Sequence, residues 1–376
     1  MKIAIVAGEA SGDLHAAEVL RELKKLDPQL DAFGIGGDLL VSQGMRLIHH
    51  AREMGIVGFF NVLLHYRMFK RIFDDMLAAV AGEKPDAVLL VDYPGFNLRL
   101  ARKCKELGLR VVYYISPQLW AWRRGRVNDV AKYVDRMIVI FPFEEEFYRE
   151  HGVDATYVGH PIIEEIGHIS REAQPPTPVR TGEAPILHST RIALLPGSRK
   201  GEVASLLPAM IGAIEILARD REVDAFVVQA PTIPRTLLER FIAGTNVRIV
   251  PHESGGAIAG ADVALSSSGT ATLECAVLGT PVVVMYKLSR ANYLLGRVVV
   301  KIPNFSLVNI VAGKKVVPEL IQRDVNPQRI AEETGKLLEP SKYARVVEEL
   351  ARVRGKLGDA GAARRAAEAV MSVVRG

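Results

Sequence analysis

Cysteine is almost missing from this chain: Cys104 and Cys275 are the only two in 376 residues. Both fall on stretches that read as buried helix, and two thiols cannot build the disulfide framework of a small secreted protein, so a reducing cytosol is expected. An export signal is missing too. The N-terminal stretch KIAIVAGEASGD reads as a strand and a turn, not as a basic flank leading to an apolar run and a small-residue cleavage site. No uninterrupted apolar run reaches the roughly 18 residues of a spanning helix. The most apolar stretch, 55–72, is broken by His65, Arg67, Lys70 and Arg71, so the chain is expected to lie on a bilayer but not to cross it. GxxxxGKS or GxxxxGKT, HExxH, CxxC and GxSxG are all absent, which removes support for ATPase, zincin and α/β-hydrolase readings. There is no Asp-x-Asp triplet, and His49, His50, His65 and His160 lack metal-ligand spacing. No metal is expected.

What is present fits a globular protein of two domains. Hydrophobic residues make up 49% and charged residues 24%, enough apolar surface for two packed interiors at this length. A formal charge of +5 favours anionic partners, and phospholipid headgroups, phosphorylated sugars and nucleic acid all qualify on charge alone.

Short β-rich runs recur at 3–7, 87–91, 111–115 and 137–141 with helix-length amphipathic segments between them, and again at 192–195, 225–228, 247–250, 263–266 and 282–286. This is the βαβ rhythm of parallel sheets covered on both faces, started twice. The proline-rich, aperiodic stretch 170–190 reads as the linker. The expected division is therefore a domain at 1–169, the linker, a second domain at 191–345, and two helices in 346–376, one able to pack back on the first domain. In such sheets ligands gather outside the carboxyl ends of the strands, where glycine-rich turns lead into helix N-termini.

Four turns of this kind stand out. Gly8-Glu9-Ala10-Ser11-Gly12-Asp13 follows the first strand and leads into a helix expected near Leu14; either a tight turn capped by Ser11 or Asp13, or a substrate contact, accounts for it. Asp92-Tyr93-Pro94-Gly95-Phe96-Asn97 sets a carboxylate at the end of a buried strand, where it can cap the next helix or act on a substrate. Ser116-Pro117-Gln118-Leu119-Trp120-Ala121-Trp122-Arg123 holds both tryptophans beside Arg123, Arg124 and Arg126, which suits a packed aromatic corner or a phosphate contact. In the second half, Leu195-Pro196-Gly197-Ser198-Arg199 and Ser266-Ser267-Ser268-Gly269-Thr270-Ala271-Thr272-Leu273-Glu274 each follow a strand. Backbone amides and hydroxyls there can cradle a diphosphate, with Arg199 on phosphate oxygens and Glu274 on a ribose; two plain capped turns are the alternative.

One segment, 59–80, reads as a helix whose apolar face is wider than packing on one sheet requires. Phe59, Phe60, Leu63, Leu64, Phe69 and Phe73, with Lys70 and Arg71 alongside, suit acyl chains and lipid phosphates, or else burial against the domain core or a second subunit.

Taken together, GEASGD at 8–13, VDYPGFN at 91–97, SPQLWAWR at 116–123, LPGSR at 195–199, SGTATLE at 268–274 and LVNIVAG at 307–313 resemble the lipid A disaccharide synthase family, over residues 1 to about 350. The resemblance implies a GT-B fold: two Rossmann-like domains facing a cleft, the nucleotide held by the C-terminal one and the acceptor by the N-terminal one. It implies an inverting, metal-independent hexosyltransferase joining UDP-2,3-diacylglucosamine to 2,3-diacylglucosamine 1-phosphate, with UDP released and no cofactor, the UDP-sugar being a substrate. Asp92 matches the family's catalytic aspartate and Asn309 an asparagine important for activity. Arg199 and the amides of Ser268, Gly269 and Thr270 would offset charge on the departing UDP, and Glu274 would hold the ribose. Gly8, Glu9, Ser11, Gly12, Asn97, Ser116, Trp122, Arg123, Ser198 and Ser267 complete the expected substrate-binding set. The implied partners are the two acylated sugars and an anionic lipid surface on the cytoplasmic face of the inner membrane. Nucleic acid drops out, and the apolar surplus leaves room for a homodimer. A UDP-N-acetylglucosamine 2-epimerase shares the serine and glycine turn, and a non-catalytic binder of UDP-sugar or lipid would not need Asp92.

Overall fold

The computed structural model describes residues 1–55, 66–121, 124–167, 189–251, 255–287 and 304–376. Phe59, Phe60, Leu63, Leu64, Trp122, Arg123 and nearly all of the proline-rich stretch lie outside the described residues. The chain divides into two units, Met1–Pro161 with Leu357–Gly376, and Ile162–Lys356.

The first unit carries seven strands: β1 (Lys2–Ala7), β2 (Asp31–Gly36), β3 (Arg46–His50), β4 (Ala87–Val91), β5 (Val111–Tyr114), β6 (Arg136–Val139) and β7 (Ala155–Tyr157). They pair in parallel in the order β3-β2-β1-β4-β5-β6-β7. The central strands β1 and β4 are buried over nearly their whole length, as continuous apolar runs covered on both faces must be. β2, β3 and β7 are the strands that pattern alone does not reveal. β2 reads DAFGIG with two glycines, β3 reads RLIHH with polar termini, and β7 is three residues long, so none presents a β-branched run.

The second unit has six strands: β8 (Thr190–Leu195), β9 (Val223–Gln229), β10 (Arg248–Pro251), β11 (Val263–Ser267), β12 (Val282–Tyr286) and β13 (Glu319–Ile321). Their order is β10-β9-β8-β11-β12-β13, again all parallel. In both sheets the order reverses at the strand that opens the series, between β1 and β4 and between β8 and β11. Crossover helices leave toward opposite faces at such a point, which opens a crevice at the carboxyl ends of the two strands.

The two C-terminal helices part company, and the segment 346–376, expected as two helices of which one could pack back on the first domain, divides at Leu357. Helix Pro340–Lys356 stays with the second unit and packs on helices Thr270–Val277 and Leu307–Ala312. Helix Ala362–Arg375 returns to the first unit and lies on helix Ala10–Leu26. Its buried side is Ala362, Ala363, Ala366, Ala367, Ala369, Val370 and Met371, small enough to let two helices approach closely. Arg365 fixes it by donating to the carbonyls of Val158, Ala360 and Asp359 at 2.6–2.8 Å, and Arg110 donates to the carbonyls of Val373 and Val374. Helix Ile162–Gly167 belongs to the second unit, against helix Thr270–Val277. Both cysteines are fully buried in helices, as expected.

The helix after β1 begins at Ala10, four residues before Leu14, so Ser11, Gly12 and Asp13 sit in its first turn and neither Ser11 nor Asp13 is its N-cap. Asp13 instead serves a neighbour. Its buried carboxylate accepts from the backbone amides of Gly37, at 2.6 Å, Leu39, at 3.1 Å, and Leu40, at 3.3 Å, so it caps helix Asp38–Ser42 from outside. Removing the acceptor leaves three amides without their partner, those of Gly37 and Leu40 in the interior. We expect Asp13→Ala to cost roughly 2–4 kcal/mol, read as a lowered urea midpoint, with Asp13→Asn falling between it and the wild type; an unchanged midpoint would refute the capping role.

Candidate active site

In the first unit the crevice between β1 and β4 is bordered by the GEASGD turn and by Asp92. Glu9 and Ser11 are exposed, whereas Gly8 and Gly12 are buried. Gly8 has to be glycine, because a β-carbon there would come within 2.9 Å of the Tyr93 ring. Gly12 packs over Ala7 and Val91, the ends of the two strands, which brings the helix close to the sheet.

Asp92 and Tyr93 both adopt left-handed backbone, with φ of 45° and 49°, which non-glycine residues take only when their surroundings compensate. Three groups hold the turn. The Asp92 amide donates to the Tyr114 carbonyl at 3.0 Å, and the Asp92 carbonyl accepts from the Tyr113 hydroxyl at 2.5 Å and from Asn97 Nδ2 at 2.7 Å. The Asp92 carboxyl is half-buried, and desolvation, then the negative charge of Glu9, pushes its pKa up to about 6, against a lowering pull from the Tyr93 amide and His15. A carboxylate so tuned accepts a proton readily near neutral pH.

Not every expected contact residue faces a ligand. Asn97 has no exposed surface, and its Nδ2 is spent on the carbonyls of Asp92, Val91 and Val6, so it supports the site from beneath. Ser116 is also buried; its hydroxyl donates to Glu144 Oε1 at 2.8 Å. Trp120 Nε1 donates to the same oxygen at 3.0 Å, and the Phe141 amide to Glu144 Oε2 at 3.2 Å. Burial raises the Glu144 pKa to about 7 despite these donors. The aromatic corner is thus packed around a buried carboxyl that sequence reasoning missed, although a glutamate on the third residue of a helix is a known capping signal.

In the second unit LPGSR ends β8 and SSSGTATLE ends β11, the two sides of the second crevice. Gly197, with φ of 109°, admits the Glu202 carboxylate to within 2.3 Å of where a β-carbon would lie. Ser198 and Arg199 are exposed, and Arg199 Nη1 pairs with Glu202 Oε1 at 2.9 Å, which holds the guanidinium at the helix start but leaves most of it in solvent. Ser266 and Ser267 are buried. Ser268 is already engaged: its amide donates to the Met285 carbonyl at 3.0 Å and its hydroxyl to the Phe305 carbonyl at 3.1 Å. What remains of the expected anion cradle is Gly269, Thr270 and the start of helix Thr270–Val277, where the Thr272 amide already donates to the Gly269 carbonyl at 3.1 Å. Glu274 lies half-buried one turn further along.

Asn309, expected as catalytic, is fully buried and saturated. Its Nδ2 donates to the Val317 carbonyl and Glu319 Oε1, and its Oδ1 accepts from the amides of Val316 and Val317. It fixes the loop that follows helix Leu307–Ala312 and has no hydrogen-bonding position left for a substrate. Glu319, which no motif marked, gathers the amides of Phe305 and Ser306, the Ser306 hydroxyl and Asn309. Phe305 in turn receives Ser268, so this network reaches the β11 turn.

Among the described residues no group of three His, Cys, Asp or Glu side chains is placed to hold a metal. His49 lies between Glu53, at 3.0 Å, and Asp75, at 2.9 Å, and His160 is buried against the Phe141 ring.

The family model for lipid-A-disaccharide synthetase matches residues 3–372. The chain belongs to the lipid-A-disaccharide synthase family. The family's synthases from Myxococcus xanthus and Anaeromyxobacter dehalogenans are 43% and 44% identical to it, over 99% and 100% of this chain and 97% and 98% of their own length. Among solved structures, the glycosyltransferase of kitacinnamycin superposes with a TM-score of 0.64 at 15% identity, covering 99% of this chain and 98% of that one. UDP-GlcNAc 2-epimerase from Neisseria meningitidis, bound to UDP-GlcNAc, gives 0.62 at 14% identity, covering 99% and 100%. At these identities the likeness shows the GT-B fold alone, so the epimerases share architecture with the lipid-A-disaccharide synthase family, and the epimerase alternative gains nothing from them.

The raised Asp92 pKa makes an opposite demand on activity and on stability. If Asp92 must be ionised to act, kcat/KM falls with slope one below an apparent pKa near 6, and Asp92→Asn removes that limb. In the folded state the carboxyl keeps its proton to higher pH than in the unfolded chain, so stability declines as pH rises from about 4 through 6 and the cost is complete above that. Asp92→Asn should therefore raise Tm at pH 8, by the equivalent of about 1–2 kcal/mol after allowance for partial exposure. Thermal melts at pH 4.5 and pH 8 check the sign.

Proposed function

We propose that the chain transfers a 2,3-diacylglucosaminyl group from UDP to 2,3-diacylglucosamine 1-phosphate, giving a β-1,6-linked disaccharide 1-phosphate and UDP with inversion at the anomeric carbon. The single observation that carries this reading is the place of the half-buried Asp92 carboxyl at the end of β4, where burial and the neighbouring charge of Glu9 push its pKa up to about 6. Asp92 takes the proton of the acceptor hydroxyl as that oxygen bonds to the anomeric carbon. The bond from that carbon to the diphosphate breaks, and its electron pair leaves with UDP. Arg199 and the first-turn amides of helix Thr270–Val277 offset the charge that builds on the departing phosphate, and Glu274 accepts from the ribose hydroxyls. A base and a leaving-group stabiliser on opposite sides of the sugar are what direct displacement requires.

Acylated substrates put the enzyme at a lipid surface. No helix among the described residues is long and apolar enough to cross a membrane. Helix Tyr66–Glu83 presents Tyr66, Arg67, Lys70 and Arg71 to solvent, while Phe69 and Phe73 pack against the core and Phe73 sets its edge against Phe96 at 5.4 Å. We place membrane contact on that exposed side of the helix, where Lys70 pairs with Asp74 and Arg71 with Asp75, so Phe69 and Phe73 anchor it and the arginines and Lys70 exchange those surface pairs for phosphate.

Purified protein given both acylated substrates in EDTA should release UDP and form the disaccharide phosphate, and Asp92→Asn should lower turnover by roughly 10² to 10⁴. Turnover of the variant within a few-fold of wild type sinks the base assignment. Sedimentation with phosphatidylglycerol vesicles should weaken as salt rises, and the double variant Lys70→Glu with Arg71→Glu should bind them less. Equal binding removes this helix from the membrane contact.

A further inference from the structure

We infer that Tyr113 and Asn97 are positioning residues for the reaction: by holding the main-chain oxygen of Asp92 between them, they keep its carboxyl directed at the crevice between β1 and β4. The inference rests on the reading of Asp92 as the base and goes beyond it. β4 runs extended to Val91, and its ladder with β5 ends where Val91 pairs with Tyr114. The next two residues turn left-handed. A reversal of this kind swings the Asp92 carbonyl out of the sheet's hydrogen-bonding direction and into the interior, where an unpartnered oxygen is costly.

Two donors from two different elements meet that oxygen. Tyr113 is fully buried on β5, one residue before the ladder's end, and its hydroxyl reaches the Asp92 carbonyl at 2.5 Å. Asn97 is fully buried one turn into helix Pro94–Glu106, and its Nδ2 reaches the same carbonyl at 2.7 Å. That Nδ2 also lies 3.1 Å from the Val91 carbonyl and 3.5 Å from the Val6 carbonyl, which ties the ends of β4 and β1 together at the reversal of strand order. Asn97 Oδ1 is buried without a partner. The amide is thus turned by its donor end, toward three carbonyls, and an acceptor in its place would face oxygen on every side. Burial keeps the Tyr113 hydroxyl protonated, so it remains a donor through the working range of pH.

The clamp acts on the backbone and reaches the chemistry through one side chain. Without it the left-handed pair relaxes toward extended backbone and the carboxyl leaves the desolvated position beside Glu9 that raises its pKa.

Tyr113→Phe deletes one donor with little change of shape. It should lower kcat by about 10- to 100-fold, the effect of misplacing a reacting group by about 1 Å, with KM for both sugars changed less than about three-fold. The acid limb of its pH profile should move below about 6. The deciding measurement is the double variant. In an Asp92→Asn background, Tyr113→Phe should change the residual turnover by less than about two-fold, because its effect passes through a carboxylate that is no longer there. If the full loss persists in that background, or if Tyr113→Phe lowers Tm with kcat and the pH profile unmoved, the clamp is overturned. Should Tyr113→Phe fold poorly, Asn97→Ser reads the same carbonyl from the other side under the same criteria. Near-normal turnover by Asp92→Asn alone overturns the base assignment, whereas a large loss there with additive behaviour in the double variant overturns only the clamp.

Discussion

The reversal of strand order is the constraint on which the rest of the molecule depends. A right-handed crossover in a parallel sheet sends each helix to one face, so when the order turns, successive helices separate and the carboxyl ends of two adjacent strands are left uncovered. This happens once in each sheet, at β1 and β4 and at β8 and β11. The candidates for chemistry that keep some exposed surface lie on a turn that leaves one of those four strands or on the helix it opens: Glu9 and Ser11, Asp92, Ser198 and Arg199, Thr270 and Glu274. Chain topology selected the places, and side-chain chemistry then differentiated them, acid and hydroxyl in one unit, guanidinium and helix amides in the other.

Beneath these turns runs a layer of buried polar groups whose work is to hold backbone. Asp13 caps a helix that is not its own, Glu144 collects a serine, a tryptophan and an amide, and Asn309 with Glu319 secures the loop beyond helix Leu307–Ala312. Each is nearly saturated by chain donors or acceptors, as polar groups removed from water must be. Family motifs therefore mix two kinds of residue. GEASGD contains exposed Glu9 and Ser11 next to buried Asp13, and VDYPGFN contains half-buried Asp92 beside Asn97 with no exposed surface at all.

Strands with β-branched runs were legible from the sequence because burial on both faces leaves a continuous apolar signature, and the turns that follow them were legible because glycine and serine punctuate them. Of the sheet edges only β10, expected at 247–250, was legible. β3, β7 and β13 are short or polar, and their pairing is set by neighbours distant in the chain. The division of labour inside each motif was equally hidden, since a pattern of residue types does not say which side chain faces the crevice and which faces the core. Asn97, Ser116 and Asn309 looked like contact residues for that reason. Tyr113, Glu144 and Glu319 escaped notice because each acts on a partner 21 to 28 positions away or within a loop of no fixed pattern: Tyr113 on Asp92, Glu144 on Ser116.

The return of the last helix has a bearing on how the protein is made. The surface of helix Ala10–Leu26 is covered by Ala362–Arg375, which is made only after the whole of the second unit. The second unit holds its own elements by Lys356, so it can fold during synthesis while the first waits, one flank uncovered, for the helix that follows. A change that keeps helix Ala362–Arg375 from docking would therefore be felt in a part of the chain made long before it, and not in its sequence neighbours.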